Sequence, residues 1–188
     1  MRIKRKRFLF PMFFICILAM SGIYWRATID RYLRLLQKKR KVDACFVGGR
    51  APDIDGTTQF GRYWSLGALK GKVVVLDFTA NACVYCGPAH EMLARIERDY
   101  KREDLVFASI SLDETLEERD KAIRRRHIEW PMVWEPLDPF VHPVSKRYGV
   151  FAIPSIWIIG RDGTVIESQG ITFEPLLRWQ IQRALAKN

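Results

Sequence analysis

The stretch Val73-Val74-Val75-Leu76-Asp77-Phe78, followed by Cys83-Val84-Tyr85-Cys86 and then by Pro88 to Lys101, decides the fold. A run of β-branched and apolar residues broken only by Asp77 is the mark of a strand covered on both faces, as in a parallel or mixed sheet. From Pro88 to Lys101, Met92, Leu93, Ile96 and Tyr100 fall on one stripe with charges opposite, which predicts an amphipathic helix packed on that sheet. Strand, cysteine pair and helix follow directly on one another.

Downstream, Leu105 to Ser111 reads as a second buried strand, Glu114 to Arg126 as a polar helix with few anchors, and Trp130 to Trp134 as a short extended piece. Ser155 to Ile159 and Thr164 to Ser168 are two strands joined through Gly160-Arg161-Asp162-Gly163, whose Asp-Gly is expected to give a hairpin its positive φ angles. Thr172 then begins a final helix with Phe173, Leu176, Leu177, Ile181 and Leu185 inward. Upstream, glycines and Pro52 break residues 43 to 61 into an irregular lead-in with room for short strands, and Ser65 to Lys72 reads as a helical turn and a tight link. There is no internal repeat. The order β-α-β-α, then β-hairpin-α, predicts a three-layer α/β sandwich around a central mixed sheet.

The net charge of +10 is not spread evenly. Residues 1–42 hold 12 Lys/Arg and 1 Asp, whereas residues 43–188 hold 19 Lys/Arg and 20 Asp/Glu. The basic excess therefore belongs to the N-terminal segment, which argues against nucleic-acid binding by the body. Arg2, Lys4, Arg5, Lys6 and Arg7 precede an uncharged run from Phe8 to Trp25, roughly 27 Å long as a helix. Tyr24 and Trp25 suit a headgroup boundary. The reading is a membrane anchor over residues 8–25, a stalk to residue 42, and one domain over residues 43–188 facing the periplasm or another extracytoplasmic side. The competing reading is a cleaved signal peptide and a secreted domain, since Ala19 and Ser21 present small residues after the apolar run.

Of the four cysteines, Cys16, Cys45, Cys83 and Cys86, only the last two form a motif. Two thiols spaced by two residues let one thiolate attack a substrate disulfide and the other resolve the mixed disulfide. Cys83, placed at a helix N-terminus, is the expected nucleophile, because unpaired N–H groups and the helix dipole stabilise a thiolate. Cys86, one turn inside, is the resolving thiol. Asp77 is the candidate to take its proton, since a carboxylate in such an apolar strand is expensive to bury without a task. The bland alternative is an Asp facing water at the strand end. No metal is expected: no second cysteine pair follows, and His90, His127 and His142 do not form a spaced ligand set. The redox-active disulfide needs no other cofactor. Cys45 is read as idle or as the site of an intermolecular bridge.

The chain resembles the thioredoxin superfamily, in particular its membrane-anchored TlpA/ResA-like branch of extracytoplasmic thiol-disulfide oxidoreductases. Four motifs over roughly residues 47–171 carry the likeness: Gly49-Arg50-Ala51-Pro52-Asp53, Leu69 to Phe78, the Cys83–Cys86 pair, and Tyr148-Gly149-Val150-Phe151-Ala152-Ile153-Pro154-Ser155. The resemblance implies a cis Ile153-Pro154 bond facing Cys83, with Ile153, Pro154, Val84 and Tyr85 contacting an extended substrate. It also implies that Asp77 is the family's buried acid. Implied partners are protein thiols and disulfides and a membrane or soluble electron-donor protein. The sequence departs from the pattern at Ala82, where a tryptophan is usual, at Glu91, where many thioredoxins have a proline, and at Ala89, where many TlpA/ResA-like proteins have a glutamate. Val84-Tyr85 supplies no cation for the thiolate, so a less oxidising pair is expected. Two other readings of the same fold are a peroxiredoxin-like thiol peroxidase and a binding module without catalysis.

Overall fold

A computed structural model of the chain describes residues 45–134, 143–170 and 172–187. The expected anchor, signal and stalk segments fall outside these residues. Among the described residues no helix is long and apolar enough to cross a membrane. The strands are β1 (Asp55–Thr57), β2 (Tyr63–Ser65), β3 (Val73–Thr79), β4 (Leu105–Ser111), β5 (Met132–Trp134), β6 (Ser155–Ile159) and β7 (Val165–Gln169). The helices are α1 (Cys86–Tyr100), α2 (Leu116–Arg126), α3 (Pro143–Tyr148) and α4 (Glu174–Leu185), with a 3-10 turn at Leu66–Leu69.

The main sheet has the order β5-β4-β3-β6-β7. β3 pairs in parallel with β4 and antiparallel with β6, and β7 closes a hairpin on β6. The sheet is therefore mixed, with β3 at its centre and all seven β3 residues buried. Because strand side chains alternate faces, β3 feeds two cores. Val73 and Val75 pack with Leu93 and Ile96 of α1 and with Leu177 and Ile181 of α4. Val74, Leu76 and Phe78 pack on the opposite face with Ile54, Tyr148 and Trp157. Each fully buried Val, Leu, Ile or Phe contributes about 1.5–3 kcal/mol. Asp77 shares its parity with Val73 and Val75, so the pleat aims it at α1.

The segment before β3 is laid against the sheet at two places. Gly48 donates its N–H to the Val165 carbonyl, Val165 donates back to Gly49, and Arg50 bridges Thr164 in antiparallel fashion. Farther along, Thr58 bridges Val133, while the Gln59 amide donates to the Trp130 carbonyl at 2.8 Å and accepts from the Met132 N–H at 2.8 Å.

Three local expectations are corrected. Phe173 is 62% exposed: it is the extended residue preceding α4, so the helical phase starts after it, and Gln180 and Ala184 take inward positions with Leu177 and Ile181. The Gln180 side-chain oxygen accepts a hydrogen bond there from the Gln169 amide nitrogen at 2.8 Å. In the β6–β7 turn only Gly163 takes a positive φ, 83°; Asp162 instead accepts from the Thr164 N–H and hydroxyl. Finally, α1 begins at Cys86, so Cys83 sits in the turn ahead of the helix.

Candidate active site

β3 ends at Thr79, and the chain turns through residues 80–85 before α1 begins. Within that turn the Cys83 N–H donates to the Ala80 carbonyl at 3.2 Å. Cys83 and Cys86 are joined by a disulfide, with an S–S distance of 2.09 Å and Cα atoms 5.4 Å apart. Their exposure differs: Cys86 is fully buried, Cys83 is half-buried, and Val84 and Tyr85 between them are exposed. The start of α1 has no side-chain cap and no acidic residue in its first turn. The positive end of the helix dipole is therefore left uncancelled beside the disulfide, where it favours a thiolate on reduction.

A buried polar cluster joins β3, α1 and β4. Asp77, 1% exposed, sits 2.7 Å through its Oδ2 from Nε2 of His90, also 1% exposed. The water-facing alternative for Asp77 is thereby corrected: its place in the pleat turns it into the α1 interface. The Ser109 hydroxyl of β4 donates to the same Asp77 oxygen at 3.4 Å, and Trp130 Nε1 donates to Ser109 Oγ at 2.8 Å. The Trp130 ring meets the His90 ring edge-on, with centroids 5.9 Å apart. Asp77 Oδ1 and His90 Nδ1 have no hydrogen-bond partner among the described residues. Sequence reasoning missed His90 as a site residue. The signal was present, because position 90 is one helical turn beyond Cys86 on the stripe that continues through Leu93.

Arg126 at the end of α2 was missed as well, since its approach is a tertiary event. One of its terminal nitrogens, Nη2, lies 3.0–3.1 Å from the carbonyl oxygens of Ala80, Asn81 and Cys83, and Nη1 donates to the Thr79 hydroxyl at 3.2 Å. Burial pushes this guanidinium below its ordinary value, and the neighbouring Arg125 adds to the effect. A cation thus holds the cysteine turn from outside the motif, although Val84 and Tyr85 carry none. The same residues open onto a cavity of about 560 Å³, lined by Cys83, Val84 and Glu91 on one side and Arg125, Arg126 and His127 on the other.

The Ile153-Pro154 peptide bond is cis, with Pro154 buried, Ile153 half-buried and Phe151 almost fully exposed just upstream. Helix α1 runs unbroken through Glu91. Cys45 is free and half-buried, and burial pushes its thiol up, which disfavours the reactive thiolate.

Comparison with known proteins adds to this geometry. Residues 47–168 match the model of the AhpC/TSA family. The thiol-disulfide oxidoreductase ResA of Bacillus cereus is 25% identical over 164 residues, which cover 87% of this chain and 88% of that protein. Among solved structures, a candidate thiol:disulfide interchange protein DsbE from Chlorobium tepidum superimposes with a TM-score of 0.70 at 24% identity, covering 76% of this chain and 100% of its own. The thioredoxin domain of a thiol-disulfide oxidoreductase from Bacteroides vulgatus gives a TM-score of 0.67 at 24% identity, over 74% and 98% of the two chains. The structural matches establish a thioredoxin-like fold.

Proposed function

This chain belongs to the AhpC/TSA family and is a TlpA/ResA-like thiol-disulfide oxidoreductase, and from that premise we propose that it reduces disulfides of exported proteins through Cys83 and Cys86. The observation that carries the roles is the unequal exposure of the pair: Cys83 borders the cavity, and Cys86 is sealed beneath it. A Cys83 thiolate attacks one sulfur of the substrate disulfide and expels the other as a thiolate. Cys86 loses its proton, assisted by Asp77, and attacks Cys83 Sγ, so the substrate leaves reduced and the Cys83–Cys86 disulfide forms. A donor protein carrying a dithiol, membrane-bound or soluble, then reduces that disulfide in two exchanges and is itself left as a disulfide. Exposed Val84 and Tyr85, with Ile153 and Pro154, form the surface for an extended substrate segment.

The reducing direction is supported by Val84 and Tyr85, which place no cation between the two cysteines. A reduction potential near the oxidising end, about −120 mV, would refute it. In this reading residues 8–25 hold the chain in the membrane, residues 43–188 form the catalytic domain outside the cytoplasm, and the basic N-terminal flank stays inside. That arrangement is supported by the basic cluster packed against the apolar run.

The test is reduction of insulin disulfides by the full chain in mild detergent with dithiothreitol, comparing wild type, Cys83→Ser and Cys86→Ser. Loss of activity in Cys83→Ser and trapped mixed disulfides in Cys86→Ser support the assignment; neither activity nor trapping would move the reading to a binding module. A thiol peroxidase is the second reading, favoured by the family match and by Arg126 linking Thr79 to the Cys83 turn. Thiol-dependent consumption of peroxide that survives in Cys86→Ser would select it.

A further inference from the structure

The Asp77–His90 pair ties β3 to α1, with His90 four residues beyond Cys86 on that helix, and proton removal by Asp77 alone leaves the imidazole unused. We propose that His90 is the proton acceptor for Cys86 in the resolving step and that Asp77 is the residue positioning it; this rests on the thiol-disulfide reading.

Three observations converge on the imidazole. A carboxylate can only accept hydrogen bonds, so at 2.7 Å from Asp77 Oδ2 the His90 Nε2 carries the hydrogen, and in the neutral imidazole Nδ1 is then left with a bare lone pair. That Nδ1 is buried and has no partner among the described residues, although buried polar atoms are rarely left unpaired without a reason. Cys86 and His90 are both buried and sit four apart on α1, and helical side chains lean toward the N-terminus, so the imidazole lies over the turn that carries Cys86.

The chemistry favours the imidazole over the carboxylate as acceptor. Free thiols titrate near 8.5, imidazoles near 6.5 and aspartic acids near 3.9, so the ordinary uphill gap from thiol to acceptor is about 2 units for His and about 4.6 for Asp. The groups facing this pair are the Ser109 hydroxyl of β4, the Trp130 ring ahead of β5, and Arg126 of α2, whose charge acts on Asp77.

In the mixed disulfide, the Cys86 S–H bond breaks and its proton passes to His90 Nδ1. The Cys86 thiolate forms a bond to Cys83 Sγ while the bond from Cys83 to the substrate sulfur breaks, with the electron pair leaving on the substrate thiolate. The protein dithiol is oxidised, the substrate disulfide is reduced, and the imidazolium later returns its proton to solvent.

The experiment mixes the reduced full chain, carrying Cys16→Ser and Cys45→Ser so that Cys83 and Cys86 are its two thiols, with 5,5′-dithiobis(2-nitrobenzoate) and follows thionitrobenzoate release by stopped flow from pH 5 to 9. The first equivalent reports attack by Cys83 and the second reports resolution by Cys86. His90→Gln keeps a donor toward Asp77 and removes the proton acceptor, and His90→Asn is the second variant, with folding of both checked by circular dichroism. The expected result is an unchanged first phase, a second phase slowed about a hundredfold at neutral pH, and loss of the acid limb of that second phase. A second phase in His90→Gln within about threefold of wild type, alongside a slowed Asp77→Asn, would overturn the proposal and return the acceptor role to Asp77. A wild-type second phase with no acid limb would overturn it without any variant. Failure of the wild type to release the second equivalent at all would overturn the oxidoreductase reading, and this proposal with it.

Discussion

Replacing Arg126 with Met isolates the cation that holds the cysteine turn. Met retains much of the apolar stem and removes the guanidinium. Nη2 lies near three carbonyls but carries only two hydrogens, so with the Nη1 bond to Thr79 about three hydrogen bonds act at once. Charge-assisted bonds contribute about 1.5–3 kcal/mol each. The carbonyls of residues 80–83 border an open cavity and can turn to water, which recovers much of that loss. The net cost is therefore about 2–4 kcal/mol, and the expected fall in Tm for a domain of this size is about 6–15 °C. The assay is calorimetry of the oxidised full chain, with Arg125→Met as the control, because Arg125 is exposed and makes one bond, to the Asn81 carbonyl. A Tm of Arg126→Met within about 2 °C of that control would refute the argument that Arg126 holds the turn. In the reduced protein, loss of the cation should also slow alkylation of Cys83 by iodoacetamide near neutral pH.

Tyr148 donates its hydroxyl to the Pro52 carbonyl at 2.7 Å, so Tyr148→Phe should cost about 1–2 kcal/mol in urea unfolding while sparing the ring contacts to Phe78 and Trp157. Burial pushes the Tyr148 phenol far above its ordinary value near 10, so the folded chain keeps a proton that the unfolded chain gives up. Its stabilisation is complete below about pH 10 and is lost as pH rises further, and Tyr148→Phe should flatten that alkaline decline. Gly56→Ala should cost about 1–3 kcal/mol, because an added Cβ would stand 2.6 Å from Val133 Cγ1; an unchanged urea midpoint would show that β1 shifts freely. Asp104 is held well below the usual carboxylate range, first by Arg102 and then by Arg161. Its contribution is present above about pH 4 and is lost as pH falls below that, so Asp104→Asn should weaken the pH dependence of Tm on the acid side.

The central strand, the helix after the cysteines and the hairpin were legible because each carries its own periodicity. The β3 residues 73–78 are apolar on both faces, and Met92, Leu93 and Ile96 repeat at helical spacing. Asp77 was legible as an anomaly within such a run. The partners that give the site its character were not, because they are set by packing. His90 gains meaning only once β3 is known to turn position 77 toward α1. Arg126 reads as one of three consecutive arginines until the end of α2 is brought over residues 79–83. Phe173 misled for the opposite reason, since its apolar character suggested a helix face while the chain was still extended there.

The lead-in over residues 48–59 has a further consequence for solubility. A strand at the margin of a sheet offers unpaired N–H and C=O groups to any other chain, a route to aggregation. Here β5 and β7 are the two margins, and the same short segment covers part of each, with Gly48 to Arg50 on the start of β7 and Thr58 with the Gln59 amide on β5. A chain shortened to begin at β2 would retain β3, both cysteines and the Asp77–His90 pair, yet would expose both margins at once. Such a chain should self-associate through its sheet edges, so residues that touch neither sulfur nor substrate guard the catalytic body against edge-to-edge pairing.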